Sequence, residues 1–453
     1  MPSGAFNGLE SLPALGPGSI DSLPSLPALE RAVPLSAAPE DGAQAQDPSV
    51  PAKGGPAAPI PQAPTIPFNG VDLPVYAFSS ETNVSEDLVK AIDVTKDTLD
   101  LALYGMSLPN VADALVRAKE RGVKIRLVCN ELHMNPKSGN RSAQLQLLVD
   151  KGFDIRLLKG LGGTGIMHNK FAIFDGALVK AGSFNWSTYA NDANFENALF
   201  FNEPGRIQGF QTYFEWIWAK GNVMNGTATS EPEVKNPPPA DPSPSVDFKG
   251  QMFPAYVFSP LGDTETQLER AINMSEKSID LAMFALFSAP VVDALIKARD
   301  RGVEVRIVVD RSQGKSSPAV KTLLDKGVPV RMSSGYAPKG VMHNKFSVFD
   351  GELLESGSFN WSFNAQNHNF ENANFFSTGD QFGTQIVSAY QAYFEKILAQ
   401  SDPMSGADTD PGSHPNPYPE VYELDPGSGA SVPQAPAKPR NPDSYENWPG
   451  SAQ

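Results

Sequence analysis

The feature that most constrains this chain is a long internal repeat. VYAFSS at 75–80 returns as AYVFSP at 255–260, TLDLALYGM at 98–106 as SIDLAMFAL at 278–286, and VADALVRAKERGVKIRLV at 111–128 as VVDALIKARDRGVEVRIV at 291–308. The offset is 180 up to that point and 175 from KGFDIRLL (151–158) against KGVPVRMS (326–333) onward, so the first copy carries five extra residues near the polar stretch LHMNPKSGN. A repeat of this length is one structural unit made twice, and the two copies must find an arrangement that buries both.

Within each copy the apolar patterning reads β-α-β-α-β-β-α. Leu99 to Leu103 and Ile125 to Cys129 are continuous apolar runs of strand length, the pattern of strands buried on both faces. Between them Val111, Leu115 and Ala118 recur at helical spacing, and Gly122 stops the helix. A further helix closes each copy, roughly Arg206 to Ala219 and Gln381 to Leu398. Strands alternating with helices indicate the α/β class with a mixed sheet.

Outside the repeats the composition changes. Residues 1–70 are rich in Pro, Ala, Ser and Gly, with SLPAL at 11–15 and again at 25–29; residues 221–251 contain NPPPADPSPS, and 401–453 are similar. Proline at this density removes backbone donors and fixes φ, so these stretches read as a disordered tail, a linker and a second disordered tail around domains at 74–220 and 252–400. The net charge of −15 sits mostly in them: residues 74–220 hold 16 basic and 16 acidic side chains and 254–400 hold 14 and 16, which leaves −13 for the rest. Domains so near neutrality lack the bulk basic character of a non-specific nucleic-acid binder, although a local basic groove stays compatible with them. The single cysteine, Cys129, excludes an internal disulfide and reads as a small buried hydrophobe. No apolar stretch reaches the ~18 residues of a membrane span, and no basic segment followed by an apolar core marks a leader. The compartment is open, with the Pro-rich tails leaning to an extracytoplasmic one.

The chemistry concentrates in MHNKFAIFDGALVKAGSFNWS (167–187) and MHNKFSVFDGELLESGSFNWS (342–362). Asp175–Gly176 between strand-like runs signals a two-residue hairpin. In that register residues whose numbers sum to 351 face each other, so His168 opposes Ser183, Lys170 opposes Ala181, and His168, Lys170, Ser183 and Asn185 share one face. Met167, Phe171 and Ile173 take the core side. The second copy repeats this about Asp350–Gly351 with His343, Lys345, Ser358 and Asn360. Imidazole, ammonium, hydroxyl and amide on one face suit a phosphate ester: lysine as a point charge for the non-bridging oxygens, Ser and Asn as neutral donors, histidine as nucleophile or acid/base. Gly182 and Gly357 are expected to keep the backbone low for a ligand. In NFENALFF (194–201) and NFENANFF (369–376), Glu196 and Glu371 alternate with core phenylalanines and so face the histidines, where a carboxylate on Nδ1 fixes the tautomer.

The doubled pattern H-x-K-x4-D-x6-G-S-x-N resembles the HKD signature of the phospholipase D superfamily, over about 75–220 and 255–398. The details G-S-F-N-W-S and N-F-E-N-A resemble the compact branch that holds the bacterial endonuclease Nuc and the mitochondrial cardiolipin hydrolases (Zucchini proteins), whose members usually carry one motif and dimerise. The resemblance implies two phospholipase D-like mixed-sheet α/β/α domains in an intramolecular pseudo-dimer, its site on the pseudo-axis and its catalytic unit a monomer. One histidine would attack phosphorus to give a phosphohistidine, with His168 favoured; the other would protonate the leaving oxygen and then activate water or an alcohol. Lys170, Lys345, Asn185 and Asn360 would hold the phosphoryl oxygens, Ser183 and Ser358 assist, and Glu196 and Glu371 orient the imidazoles. Asp175 and Asp350 are expected to be structural at the turns. No cofactor and no metal is called for.

The expected partner is a phosphodiester, a phospholipid headgroup ester ahead of DNA or RNA; the near-neutral domains favour lipid and the compact branch favours nucleic acid. Phosphatidyl transfer is disfavoured by the missing membrane spans. The rival of another class is a duplicated module that binds phosphate without cleaving it. Trp186 and Trp361 fit loop packing at least as well as a substrate mouth, and Trp216 and Trp218 fit helix packing. His133 and His414 are expected at the surface. A substrate contact for His368, which has no counterpart in the first copy, is not favoured.

Overall fold

The computed structural model describes residues 59–134, 142–224 and 243–411. Two eight-stranded mixed sheets run through it. In the first, the strand order is Asn222–Val223, Asp154–Leu158, Lys124–Asn130, Thr98–Leu103, Lys170–Phe174, Leu178–Gly182, Asn197–Phe201, Tyr76–Phe78. Thr98–Leu103, Lys124–Asn130 and Asp154–Leu158 pair in parallel, and the other neighbours are antiparallel. The second sheet repeats that order with Asp402–Pro403, Val330–Ser333, Glu304–Asp310, Ser278–Met283, Lys345–Phe349, Leu353–Gly357, Glu371–Ser377 and Tyr256–Ser259. The continuous apolar runs are the parallel strands at the centre of each sheet, where helices cover both faces.

Local sequence accounts for the helices. Pro109–Glu120 begins with proline at its first turn, buries Val111, Ala112, Leu115 and Ala118, and carries Arg117 and Lys119 in its last turn. Gly122 follows at φ +96°. Val84–Val94 starts at Asn83, whose side chain accepts from the backbone N–H of Glu86. The closing helices run Pro204–Lys220 and Gln381–Ala399.

These two helices join the repeats. Tyr213 stacks on Phe258 at 3.9 Å and 5°, and Phe78 stacks on Tyr393 at 3.9 Å and 20°, so each pair takes one ring from each repeat. The buried Arg206 donates from Nη1 to Ala255 O (2.5 Å) and from Nη2 to Phe375 O (2.6 Å) of the second repeat. One continuous core holds Phe171, Phe210 and Phe214 of the first repeat together with Phe346, Tyr390 and Phe394 of the second. Each large side chain buried this way contributes about 1.5–3 kcal/mol. The contacts occur in crossed, matched pairs, as a pseudo-twofold relation between the repeats requires.

Two expectations need correction. Ordered structure extends past the expected domain edges. Thr65–Phe68 pairs with Val71–Pro74, Ser245–Phe248 pairs with Gln251–Pro254, and Asp402–Pro403 followed by the 3-10 helix Gly406–Asp408 lies in the stretch read as a tail. The Asn69–Gly70 and Lys249–Gly250 turns, all at positive φ, fold these hairpins back, and Ile66, Phe68, Leu73 and Phe253 are buried. A few apolar residues were enough to order segments whose average composition resembles a linker. The rest of the tails and linker, with His414, lies outside the described residues.

The motif hairpin is also one residue out of the expected register. Phe174 pairs with Leu178 and Ala172 with Lys180, and in the second copy Phe349 pairs with Leu353 and Ser347 with Glu355, so partners sum to 352 and 702. Asp175 and Gly176 both take positive φ (52° and 58°) and Ala177 N–H donates to Phe174 O, as a two-residue turn requires, but Ala177 is an extra residue before pairing resumes. A slip of one residue exchanges the faces of a strand. It moves Lys180 and Glu355 from the expected core side to the face of Lys170 and Lys345.

Candidate active site

His168 and His343 stand just before the strands Lys170–Phe174 and Lys345–Phe349, and each is fixed by the opposite repeat. The backbone N–H of His168 donates to Phe370 O and that of His343 to Phe195 O, both at 3.0 Å. The imidazoles follow the same crossing. Nδ1 of His168 lies 2.8 and 2.7 Å from the two carboxylate oxygens of Glu371, and Nδ1 of His343 lies 2.7 Å from Glu196 Oε1. All four side chains are buried. A carboxylate at Nδ1 makes that nitrogen the donor and leaves Nε2 for chemistry. The reading that set each glutamate toward the histidine face of its own hairpin is therefore corrected: the glutamate of one repeat serves the histidine of the other. Amides brace the crossing, with Asn197 Nδ2 donating to Asn344 Oδ1 and Asn372 Nδ2 to Asn169 Oδ1, both at 2.8 Å.

Lys170 and Lys345 lie beside the imidazoles. Lys170 Nζ donates to His168 O at 2.8 Å; Lys345 Nζ donates to His343 O at 2.9 Å and lies 2.8 Å from His343 Nε2. Each ammonium sits over an aromatic ring, Lys170 over Tyr104 at 5.1 Å and Lys345 over Phe284 at 4.7 Å. The same rings meet the histidines edge-on, Tyr104 against His168 at 5.2 Å and Phe284 against His343 at 4.7 Å. Sequence reasoning passed over Tyr104 and Phe284. Their signal was the equivalent place each holds directly after the strands Thr98–Leu103 and Ser278–Met283.

Ser183 and Ser358 follow Gly182 and Gly357. Ser183 Oγ donates to Glu196 Oε2 at 2.6 Å and accepts from Asn197 N–H at 3.0 Å, while Ser358 Oγ accepts from the backbone and side-chain nitrogens of Asn372. The glycines meet the neighbouring strand and not a ligand: a Cβ at Gly182 would stand 2.6 Å from Asn197 O, and one at Gly357 2.1 Å from Asn372 O. Gly182 takes φ +117°, which carries the chain out of the pleat before Ser183. Asn185 is buried and Asn360 partly exposed.

Asp175 and Asp350 stand apart from this cluster. Asp175 accepts from the backbone N–H groups of Lys96, Asp97 and Thr98 and from Asn69 Nδ2; Asp350 accepts from those of Glu276, Lys277 and Ser278 and pairs with Lys249. Partial burial pushes both carboxyls up, and these donors outweigh it, so both end below their ordinary value.

Two further buried groups lie by the site. Lys180 Nζ donates to Lys170 O (3.2 Å) and Phe184 O (3.1 Å), linking the two arms of the hairpin. Burial pushes its ammonium down to about 7. At the matching place Glu355 faces Ser347 Oγ at 3.5 Å, and burial pushes its carboxyl up to about 8. His133 is buried against Tyr104 (4.4 Å between ring centres), a correction to the expected surface position. His368 borders the Gly162–Thr164 loop of the first repeat. Trp186 and Trp361 are fully buried packing residues, and Cys129 is buried. Among the described residues no three His, Cys, Asp or Glu side chains group so as to hold a metal ion, and no helix is long and apolar enough to cross a membrane.

Paired imidazole–carboxylate couples with lysines, crossed between duplicated mixed sheets, define the class of two-repeat HKD phosphodiesterases. The family model described as "Cardiolipin synthase, PLD-like domain" matches residues 88–218 and 268–398, more than half of the chain. The chain belongs to that family, within the phospholipase D superfamily. It is 32% identical over 159 residues to a mitochondrial cardiolipin hydrolase of Mus musculus, spanning 35% of this chain and 67% of that one. It is 29% identical over 138 residues to a phospholipase D of Rickettsia prowazekii, spanning 30% and 64%. The solved phosphatidylserine synthase of Haemophilus influenzae shares the fold across 77% of this chain and 92% of its own, with a TM-score of 0.55 and 12% identity.

Proposed function

We propose that this chain hydrolyses a phosphodiester at one site composed from both repeats, through a phosphohistidine intermediate. The observation that carries the reading is the crossed pairing of His168 with Glu371 and of His343 with Glu196. One imidazole attacks phosphorus with Nε2 as the other gives its Nε2 proton to the leaving oxygen. The second imidazole then takes a proton from water, whose oxygen displaces the first from phosphorus. Lys170, Lys345, Asn185 and Asn360 neutralise and orient the non-bridging oxygens, where charge builds in the transition state. Ser183 and Ser358 hold the strands that carry the glutamates.

The substrate we favour is a phospholipid headgroup ester. The near-neutral repeats support this, as do relatives named for cardiolipin hydrolysis and phospholipase D activity. The test is to incubate the purified chain with phosphatidylcholine, cardiolipin, single-stranded DNA and RNA in separate reactions, each with and without glycerol. Headgroup release from lipid is the expected result. Cleavage of nucleic acid alone contradicts the lipid assignment, glyceryl transfer makes the chain a transferase, and binding without turnover on all four makes it a non-catalytic phosphate module.

A further inference from the structure

The two half-sites are not equivalent, and the difference is charged. Lys180 and Glu355 occupy the same position of the two hairpins, both fully buried. Lys180 draws on Glu196, the carboxylate that serves His343, and is opposed by Lys170. Glu196 is also shared, since Oε2 accepts from Ser183 at 2.6 Å while Oε1 takes His343. Glu371 gives both oxygens to His168 and is steadied by Asn369 Nδ2 at 3.0 Å. A carboxylate divided between an imidazole, a hydroxyl and a neighbouring cation supports a charged imidazole less than one committed to it. The ammonium of Lys345, 2.8 Å from His343 Nε2, requires a lone pair there.

From this geometry we propose that His343 is the attacking imidazole and His168 the proton donor, with Lys180 as the positioning residue that breaks the symmetry between them. This reverses the order favoured from sequence and rests on the phosphodiesterase reading above. His343, neutral at Nε2, forms the bond to phosphorus. The bond to the leaving oxygen breaks, and that oxygen takes the Nε2 proton of His168. In the second half His168 removes a proton from water, the water oxygen bonds to phosphorus, and the N–P electron pair returns to His343.

Bis(p-nitrophenyl) phosphate tests this on the full chain, because p-nitrophenolate departs without a proton donor. The reaction is quenched in alkali, which preserves phosphohistidine, and the labelled peptide is mapped. Wild type should carry the label at His343. His168→Asn should still release a burst and accumulate label at His343, since it lacks the base for the second half, and His343→Asn should release none. Label at His168, or a burst kept by His343→Asn and lost by His168→Asn, overturns the assignment. Neither label nor turnover in wild type contradicts the phosphodiesterase reading instead. In Lys180→Met part of the label should move to His168; label confined to His343 in a folded Lys180→Met removes Lys180 from the account, and the wild-type map stands independently of that variant.

Discussion

Glu371 grips Nδ1 of His168 with both carboxylate oxygens although 203 residues of chain separate them. Glu196 does the same service for His343 from the other direction. Neither repeat alone contains an imidazole with its orienting carboxylate.

The crossing makes a spectroscopic prediction. Glu371→Gln should shift the ring proton and nitrogen resonances of His168 and leave those of His343 in place, while Glu196→Gln should do the reverse. Each should lower turnover by about 10²- to 10⁴-fold, the cost of a mis-set tautomer. Movement of the histidine within the same repeat contradicts the crossing.

Asp175 and Asp350 should behave as stability residues. Asp175→Ala leaves three backbone N–H groups without their acceptor and should cost about 1–3 kcal/mol by urea unfolding, with kcat of the folded fraction little changed. Since each carboxyl lies below its ordinary value when folded, its contribution is present above the unfolded pKa and fades as pH falls through the folded one. The aspartate variants should lose this acid-limb dependence.

Lys180 and Glu355 give stability profiles of opposite sign. The folded state keeps a proton on Glu355 up to about 8, where the unfolded chain has already released it, so stability falls as pH rises toward that value. Glu355→Gln should gain on wild type over that range. Lys180, pushed down to about 7, releases a proton that the unfolded chain retains, so its cost is full below pH 7 and eases as pH rises toward the ordinary lysine range. Lys180→Met should gain most at low pH. A gap of one pH unit between the folded and unfolded pKa is worth about 1.4 kcal/mol. Unfolding curves at about pH 5.5, about pH 7 and about pH 9 bracket both titrations and read both signs.

Much of this was legible from residues. The repeat, the mixed α/β class, the closing helices and the ten polar side chains of the cluster follow from apolar periodicity and from the twice-written H-x-K and G-S-x-N. What escaped was one extra residue at Ala177, which no turn signal announces because Asp–Gly fits the shorter hairpin equally well. That slip hid Lys180 and Glu355, since it assigned them to the core face. The crossing of the glutamates escaped for a different reason. A repeat pattern fixes which side chains share a face, but not which copy of that face they meet. The buried setting of His133 depends on Tyr104, which is remote in sequence, and no local pattern announced it.

Arg206 should anchor the repeats to each other. Its guanidinium is buried, lies 4.0 Å from the Phe376 ring and satisfies two carbonyls of the second repeat. Arg206→Met should cost about 2–4 kcal/mol by leaving those carbonyls unpaired. It should lower kcat as well, because the crossed site depends on the repeats keeping their register. Unfolding followed by tryptophan fluorescence beside turnover checks both.

Comparison of His168→Asn with His343→Asn, by turnover on the same phosphodiester with a natural alcohol leaving group, tests the composite site most directly. A single site shared by the repeats predicts that each substitution alone lowers kcat by at least about 10³-fold. Retention of roughly half the wild-type activity by either single variant, as two independent sites require, contradicts it.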